Sequence, residues 1–270
     1  MEIKYKKEYA PLGFTLIELL VVIGIIGILS STVLLSYKDY NQRAKLSNTM
    51  QWSKSVHSSL GAYAIGAWGF DSIEGTTVFD ETGNSKNGTL SGAVQVNGIM
   101  EKALEFDGIN DFVQIDNLTA KHSITIILWL KSSNYNNSVP ISLSGDNYSY
   151  GPDLLFRGNQ IFWNTNKDSD NDFQAGTTYY IDANWHHFAV VADYEDDSTK
   201  IFIDGNFAGQ ASYQDPSITN GTITIGMAGS GGGNFPGIID DVKIYNEVLD
   251  QAKIQQYYSQ DKDKKDKKDK

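Results

Sequence analysis

The sequence predicts a mainly β protein in which one long N-terminal α-helix precedes an antiparallel β-sandwich. Residues 14–36 form an apolar run without proline, and Glu18 is the only ionisable side chain within it. Beyond Gly61 the chain becomes rich in Gly, Asn, Thr and aromatic residues, in short alternating runs separated by turn residues. Such runs, with no helical period before about Leu249, are typical of a sandwich. We therefore divide the chain into residues 1–13, 14–60, 62–258 and 259–270.

The N-terminal helix begins with a segment long enough to cross a bilayer. At a rise of about 1.5 Å per residue, residues 14–36 match a hydrocarbon core about 30 Å thick, where a helix satisfies its own backbone groups. Residues 37–60 continue the helical pattern with polar and apolar side chains interleaved, which indicates one packed face and one wet face. Three lysines precede the span, as expected on the cytoplasmic side of a membrane: Lys4, Lys6 and Lys7.

Glu18 needs a partner, because a carboxylate in hydrocarbon costs at least about 2.5 kcal/mol. Cleavage after Gly13 would free the α-amino group of Phe14, one helical turn before Glu18. The amine and the carboxylate could then pair within one chain or between adjacent chains staggered along a filament. The alternative is a plain membrane anchor in which Glu18 has no special role.

Residues 13–22, which read GFTLIELLVV, resemble the class III signal of type IV prepilins and type II secretion pseudopilins. The resemblance implies that residues 1–13 are a leader, which a prepilin peptidase removes by cutting between Gly13 and Phe14. It also implies N-methylation of Phe14 and packing of the helix into a filament with other pilin subunits. Glu18 would neutralise a neighbour's terminus there, after a single-pass membrane stage that precedes assembly.

The β domain contains several clear strands and one clear hairpin. Alternating or apolar runs predict strands at residues 124–130, 185–193, 200–204 and 222–226. Asp204-Gly205-Asn206 lies between two such runs and has the composition of a tight hairpin turn. A short helix at residues 250–257 is predicted to end the fold.

The last residues, 259–270, contain a repeat of Asp and Lys that runs from Asp261 to Lys270. So highly charged a segment predicts a solvated, disordered tail. The alternative is an interaction tail for anionic wall polymers.

The order of motifs in residues 62–258 is similar to that of laminin-G-like domains of the concanavalin A-like lectin/glucanase type. The resemblance implies a jelly roll, and it depends on the ordered set, since no single piece is decisive. Its segments are residues 68–71, 77–90, 103–108 with 111–113, 123–131, 185–188, 201–205 and 237–246.

Residues 80–87 place many oxygen donors in a glycine-containing turn, and calcium prefers several oxygens at once. The jelly-roll resemblance implies a calcium ion held by this turn and by an aspartate of the last strand. Carried over to this chain, the ligands are Asp80, the backbone at Gly83 and Asn84, Asn87, and Asp240. The alternative is a turn that the Asp and Asn side chains stabilise without a metal.

Composition and motifs give no support for an enzyme. The chain has no cysteine, and it contains neither a GxSxG nor an HExxH motif. It also lacks the Glu-x-Asp-x-x-Glu run of related glucanases. His186 and His187 are expected to have structural roles rather than catalytic ones. The formal net charge of −11 argues against contact with nucleic acid, because such binding needs Lys and Arg at the phosphates.

Aromatic and amide side chains in the middle of the β domain predict a carbohydrate surface, since sugars stack on rings and bond to amides. The candidate residues are Tyr148, Tyr150, Trp163 and Asn164, near Asn147 and Phe156. The alternative is that Phe156 and Trp163 belong to the sandwich core.

Together these features predict a minor pilin or pseudopilin-like surface protein with an extracellular lectin-like head for adhesion or glycan binding. The alternative is a purely structural subunit of a type IV pilus, a type II secretion system or a DNA-uptake machine. In that case the sandwich would have no ligand of its own.

Overall fold

A computed structural model describes residues 16–26 except 18, and residues 63–268 except 135–136, 145–151, 159, 165–173, 179–181, 214 and 230–231. The chain divides into two compact units, Met1–Trp52 and Ser53–Lys270. Residues 16–17 and 19–26 are helical. Gly13, Phe14 and Glu18, with most of the predicted span, lie outside the described residues. Within the described part of the chain, no helix is both long enough and apolar enough to cross a membrane.

The second unit is a sandwich of two antiparallel sheets, which confirms the predicted fold class. Its strands are β1 Ala64–Trp68, β2 Ile73–Glu74, β3 Thr77–Val78, β4 Gly88–Ser91, β5 Val94–Asn97, β6 Lys102–Asp107, β7 Phe112–Ala120, β8 Ile124–Lys131, β9 Ser138–Ser144, β10 Asp153–Arg157, β11 Gln160–Asn164, β12 Gln174–Thr178, β13 His186–Asp193, β14 Ser198–Ile203, β15 Asn206–Ser212, β16 Ile218–Ile225 and β17 Pro236–Tyr245.

One sheet has eight strands in the order β15-β14-β13-β8-β17-β6-β5, and β1 pairs with β17 beside this path. The other has nine strands in the order β12-β11-β10-β9-β16-β7-β4-β3-β2. The predicted hairpin joins β14 to β15, with Ile203 opposite Asn206. Asp204 and Gly205 have φ values of 49° and 75°. Positive φ at both central residues is the geometry that a two-residue hairpin favours.

The main core lies between the two sheets and takes alternate side chains from each strand. Trp68, Leu128, Phe156, Trp163 and Val190 all belong to this cluster. Strand β8 is buried along nearly its whole length. Both of its faces are covered, because a second cluster lies on the outer side of the eight-stranded sheet.

That second cluster forms where the C-terminal helix, Gln251–Lys268, packs against the sheet. Ile127, Val191 and Tyr245 of the strands join Ile254 and Tyr257 of the helix in this cluster. Burying these apolar side chains stabilises the helix far more than its own propensity does.

The helix is longer than predicted, so the prediction of a disordered tail is wrong for residues 259–268. Asp261 is only 2% exposed, and its Oδ2 lies 3.9 Å from Lys243 Nζ and 3.4 Å from Trp129 Nε1. These tertiary partners hold the first part of the charged segment in the helix. The local composition, on which the prediction rested, contains no sign of them.

Candidate functional site

The turn at residues 80–87 uses its oxygen donors to hold itself together. The Thr82 N–H and hydroxyl donate to Asp80 Oδ1 at 3.0 and 2.8 Å. The Lys86 N–H donates to Asp80 Oδ2 at 3.0 Å, and the Ala67 N–H donates to Oδ1 at 3.2 Å. The Asp80 carboxylate therefore serves as the centre of the turn and ties it to β1.

The two asparagines of the turn also bond within the protein. Asn87 Oδ1 accepts from the Asp80 N–H at 3.0 Å, and Asn84 Nδ2 donates to the Ala64 carbonyl at 2.8 Å. Gly83, with φ of 85°, provides the left-handed conformation that the turn needs. This is the arrangement of the metal-free alternative.

Asp240 is bonded to a different loop. It is fully buried, and its Oδ2 accepts from the N–H groups of Ile99 at 2.8 Å and Met100 at 3.2 Å. Its Oδ1 has no hydrogen-bond partner within the described residues. Burial, with the nearby charges of Asp241 and Asp71, raises the pKa of Asp240 well above its ordinary value.

The side chains of the implied calcium ligands all bond within the protein. The Asp80 carboxylate accepts from Ala67, Thr82 and Lys86, while the Asp240 carboxylate accepts from the N–H groups of Ile99 and Met100. Within the described ranges, no group of three His, Asp or Glu side chains is placed to hold a metal ion. Calcium binding stays an untested prediction.

Strand β17 contains a register shift between Asp240 and Lys243, and Asp241 within it has a φ of 51°. Asp241 forms a buried ion pair with Lys243 beneath the C-terminal helix. Glu81 lies in the field of these charges. Burial, with added repulsion from Asp241 and Asp71, raises the pKa of Glu81 to about 7. Glu81 Oε1 accepts from the Gly69 N–H at 3.2 Å.

The two adjacent histidines of β13 have different surroundings. His186 bonds to Asp204 at 2.8 Å and to Asp182 at 3.0 Å. His187 is fully buried, with its ring edge-on to Trp129 at 5.2 Å between centroids. Burial lowers the pKa of His187 to about 4, so the ring is neutral at physiological pH.

Of the predicted carbohydrate residues, the structure describes Trp163 and Asn164. Tyr148 and Tyr150 lie outside the described residues. Trp163 is 1% exposed and packs with Phe156 in the main core, so its assignment as a ligand residue was wrong and the core alternative is confirmed. The reason is strand alternation, which turns every second side chain of β11 inward. Asn164 ends β11 opposite Asp153 of β10.

Asp153 is a polar residue that the sequence reasoning missed. It shares a strand face with Leu155, which belongs to a small cluster with Val139, Phe162 and Ala228, separate from the main core. Burial raises the pKa of Asp153 to about 7, against a hydrogen bond from Ser142 that lowers it.

The two oxygens of the Asp153 carboxylate have different surroundings. Its Oδ1 has no hydrogen-bond partner in the described structure, while Ser142 Oγ accepts from the Gly229 N–H at 2.9 Å. A lone acid directly before three apolar residues, 154–156, was the signal available in the sequence.

Comparison with known proteins identifies both parts of this architecture. Residues 107–255 match the family described as the concanavalin A-like lectin/glucanases superfamily. The chain is 32% identical over 100 residues to the type IV major pilin protein PilE1 of Neisseria gonorrhoeae, covering 36% of this chain and 46% of that protein. It is 31% identical over 111 residues to the fimbrial protein EcpC of Eikenella corrodens, covering 40% of this chain and 72% of that protein.

Solved structures share the fold at low identity. Domain 4 of AbnA, an extracellular arabinanase from Geobacillus stearothermophilus solved in complex with arabinotriose, has a TM-score of 0.61 at 18% identity and covers 72% of this chain and 97% of that chain. The binding domain of Paraclostridial Mosquitocidal Protein 1 has a TM-score of 0.58 at 14% identity and covers 74% of this chain and 52% of that chain.

The chain therefore joins a type IV pilin signal to a jelly-roll domain. It belongs to both the concanavalin A-like lectin/glucanase superfamily and the type IV pilin and fimbrial proteins.

Proposed function

We propose that this chain is a minor pilin or pseudopilin-like subunit whose jelly roll is a carbohydrate-binding head for adhesion. The observation that carries the proposal is the combination, on one chain, of pilin relatives with a lectin-like fold. The chain spans about half the length of the gonococcal pilin, so its assembly and partners are part of the proposal.

In this proposal a prepilin peptidase cuts between Gly13 and Phe14, and Phe14 is then N-methylated. The helix stays in the membrane until assembly, when Glu18 pairs with the terminal amine of a neighbouring subunit. The C-terminal unit is then displayed on the cell surface. Mass spectrometry of the mature chain tests the processing step: we expect a methylated start at Phe14, and an intact leader would contradict it.

Support for a carbohydrate ligand comes from the fold and its neighbours. The arabinanase domain that shares the fold was solved with arabinotriose, although the low identity makes this an argument for a ligand class and for nothing finer. We propose binding without cleavage, because the chain lacks the Glu-x-Asp-x-x-Glu run of related glucanases.

A glycan array probed with the full chain in detergent tests the proposal. We expect selective binding of one or more glycans, and a blank array with correctly folded protein would overturn the adhesion role. A second measurement tests assembly: Glu18→Ala should leave membrane insertion intact and reduce the amount of subunit recovered in filaments.

The second candidate function is a structural subunit without a ligand. It is favoured by two relatives that are named fimbrial proteins, since neither name refers to a ligand. Normal filament incorporation together with a blank array would select this function.

A further inference from the structure

One end of the sandwich gathers aromatic and ionisable side chains that are far apart in the sequence. Three connections contribute to it: residues 121–123 between β7 and β8, 194–197 between β13 and β14, and 213 with 215–217 between β15 and β16. Backbone and side-chain bonds join them. The Tyr194 N–H donates to Ser123 Oγ at 3.0 Å, and the Tyr213 N–H donates to the Asp197 carbonyl at 3.1 Å.

Three rings form a continuous group at this end. The Tyr194 ring lies 5.4 Å from the His122 ring and 5.6 Å from the Tyr213 ring between centroids, and the second contact is edge-to-face. Tyr213 packs against the main core and its hydroxyl donates to the His122 carbonyl at 2.7 Å. We call His122, Tyr194, Tyr213 and Asp215 the Tyr194 platform.

Asp215 orients the imidazole of the platform. Its Oδ2 lies 3.0 Å from His122 Nδ1, and its Oδ1 accepts from the Ser217 N–H at 2.9 Å and lies 3.1 Å from the Tyr213 hydroxyl. Partial burial alone would raise the pKa of Asp215, but these hydrogen bonds hold it below its ordinary value. An ionised carboxylate only accepts, so His122 Nδ1 donates to Asp215 Oδ2 and Nε2 is the ring nitrogen left for another partner.

The outward-facing groups of the platform are open to solvent. The Tyr194 residue is 56% exposed and the His122 side chain is 62% exposed. Within the described residues, neither the Tyr194 hydroxyl nor His122 Nε2 has a hydrogen-bond partner. The platform therefore combines a tyrosine ring, whose position its ring neighbours fix, with an imidazole nitrogen and a hydroxyl that can bond to a ligand.

The charges of the neighbouring turn restrict the ligand. Asp193, Glu195 and Asp197 lie at this turn, and Asp196 is paired with Lys200 at 2.5 Å. With Asp215 they give this end an excess of negative charge, which repels anionic ligands. Sialic and uronic acids are therefore disfavoured.

We propose that the Tyr194 platform is a binding site for an uncharged glycan, with one sugar stacked on Tyr194 and its hydroxyls bonded to His122 Nε2 and the Tyr194 hydroxyl. The inference rests on the proposed function, since it assigns the carbohydrate ligand to a site. An exposed ring supplies apolar area for the CH face of a sugar, and a tyrosine carries a polar tip beside it. The ring neighbours and the Asp215 bond fix these groups before binding, which reduces the entropy lost on association.

The experiment uses the full chain in detergent on an array of uncharged, amino-bearing, sialylated and uronic-acid glycans. The wild type is compared with Tyr194→Ala, Tyr194→Phe and His122→Ala. Tyr63→Ala is the matched control, because Tyr63 is also a surface tyrosine, 49% exposed, but lies outside the platform. We expect Tyr194→Ala and His122→Ala each to weaken binding of uncharged glycans about tenfold. Tyr194→Phe should lose less than Tyr194→Ala, and Tyr63→Ala should bind as the wild type does.

The outcomes separate the site from the function. If the wild type binds glycans and Tyr194→Ala binds equally well, the site assignment is overturned and the proposed function stands. If the wild type binds no glycan, both are overturned. Preference for sialylated or uronic-acid glycans overturns the charge argument and the site with it. If Tyr194→Ala instead reduces filament incorporation with unchanged glycan binding, the platform is a contact between subunits and the proposal is wrong.

Discussion

The turn at residues 80–87 and the Tyr194 platform both place polar side chains in loops of the sandwich, but they use them differently. In the turn, the Asp80 carboxylate accepts from the backbone or side chains of Ala67, Thr82 and Lys86. On the platform, more than half of Tyr194 and of the His122 side chain is exposed to solvent. The comparison teaches that a high density of oxygen atoms in a sequence does not by itself make a binding site. The hydrogen bonds that these atoms already make within the protein decide how many remain for a ligand.

The largest expected effect is at the turn. Asp80→Ala removes the acceptor of several backbone and hydroxyl donors, and we expect it to lower the free energy of unfolding by about 3 kcal/mol. Chemical denaturation measures this, in calcium and in EDTA. Glu195→Ala, an exposed turn acid, is the control and should change stability by less than about 0.5 kcal/mol. A loss for Asp80→Ala that appears only in calcium would show that the turn holds a metal after all.

The next largest effect is expected at Asp261. It tests whether the buried contacts of this carboxylate stabilise the fold as those of Asp80 do. Asp261→Ala removes one of the two carboxylates near the buried Lys243 Nζ, and we expect a loss of about 2 kcal/mol in the free energy of unfolding. Thermal and urea unfolding measure it, with Asp263→Ala as the control from the same charged repeat. Equal stability of the two variants would restore the prediction of a disordered tail.

Asp153 is intermediate between the bonded Asp80 carboxylate and the exposed groups of the Tyr194 platform. One of its carboxylate oxygens is hydrogen-bonded and the other is not. Its pKa is raised from 3.8 to about 7, so between these values the folded chain keeps a proton that the unfolded chain releases. Stability from this group is therefore present at acid pH and is lost as the pH rises towards 7. Asp153→Asn should match the wild type near pH 4 and exceed it by about 1–2 kcal/mol at pH 8.

Urea unfolding across this pH range checks the Asp153 prediction. Glu81 has a pKa raised in the same direction, so the test is the difference between variant and wild type rather than the shape of either curve. A difference that stays constant with pH would contradict the raised pKa.

The smallest expected effect on stability is at the platform. Tyr194→Ala removes a ring that is more than half exposed, so we expect the free energy of unfolding to change by less than about 0.5 kcal/mol. Differential scanning calorimetry beside the array measurement checks this. A loss similar to that of Asp80→Ala would mean that the ring is structural, and the contrast between the two regions would disappear.

Most of the fold could be predicted from the sequence, because its signals are local. Alternation located β8, β13, β14 and β16, and Asp204-Gly205 located the hairpin between β14 and β15. The same alternation places Trp163 in the core, yet the residue was also assigned to a ligand surface. That error came from residue type being used as evidence of function without regard to which strand face the residue occupies.

The sequence by itself determined the sandwich, its hairpin and the pilin-like N-terminal signal, since periodicity, turn residues and a short motif all act between near neighbours. Tertiary structure alone decided which polar groups form hydrogen bonds or ion pairs within the protein. Lys243 and Asp261, or His122, Tyr194 and Asp215, meet only after strands distant in the chain have packed together. Hydrogen bonds and burial depend on such meetings, so the residues left available to a ligand cannot be recognised from their types alone.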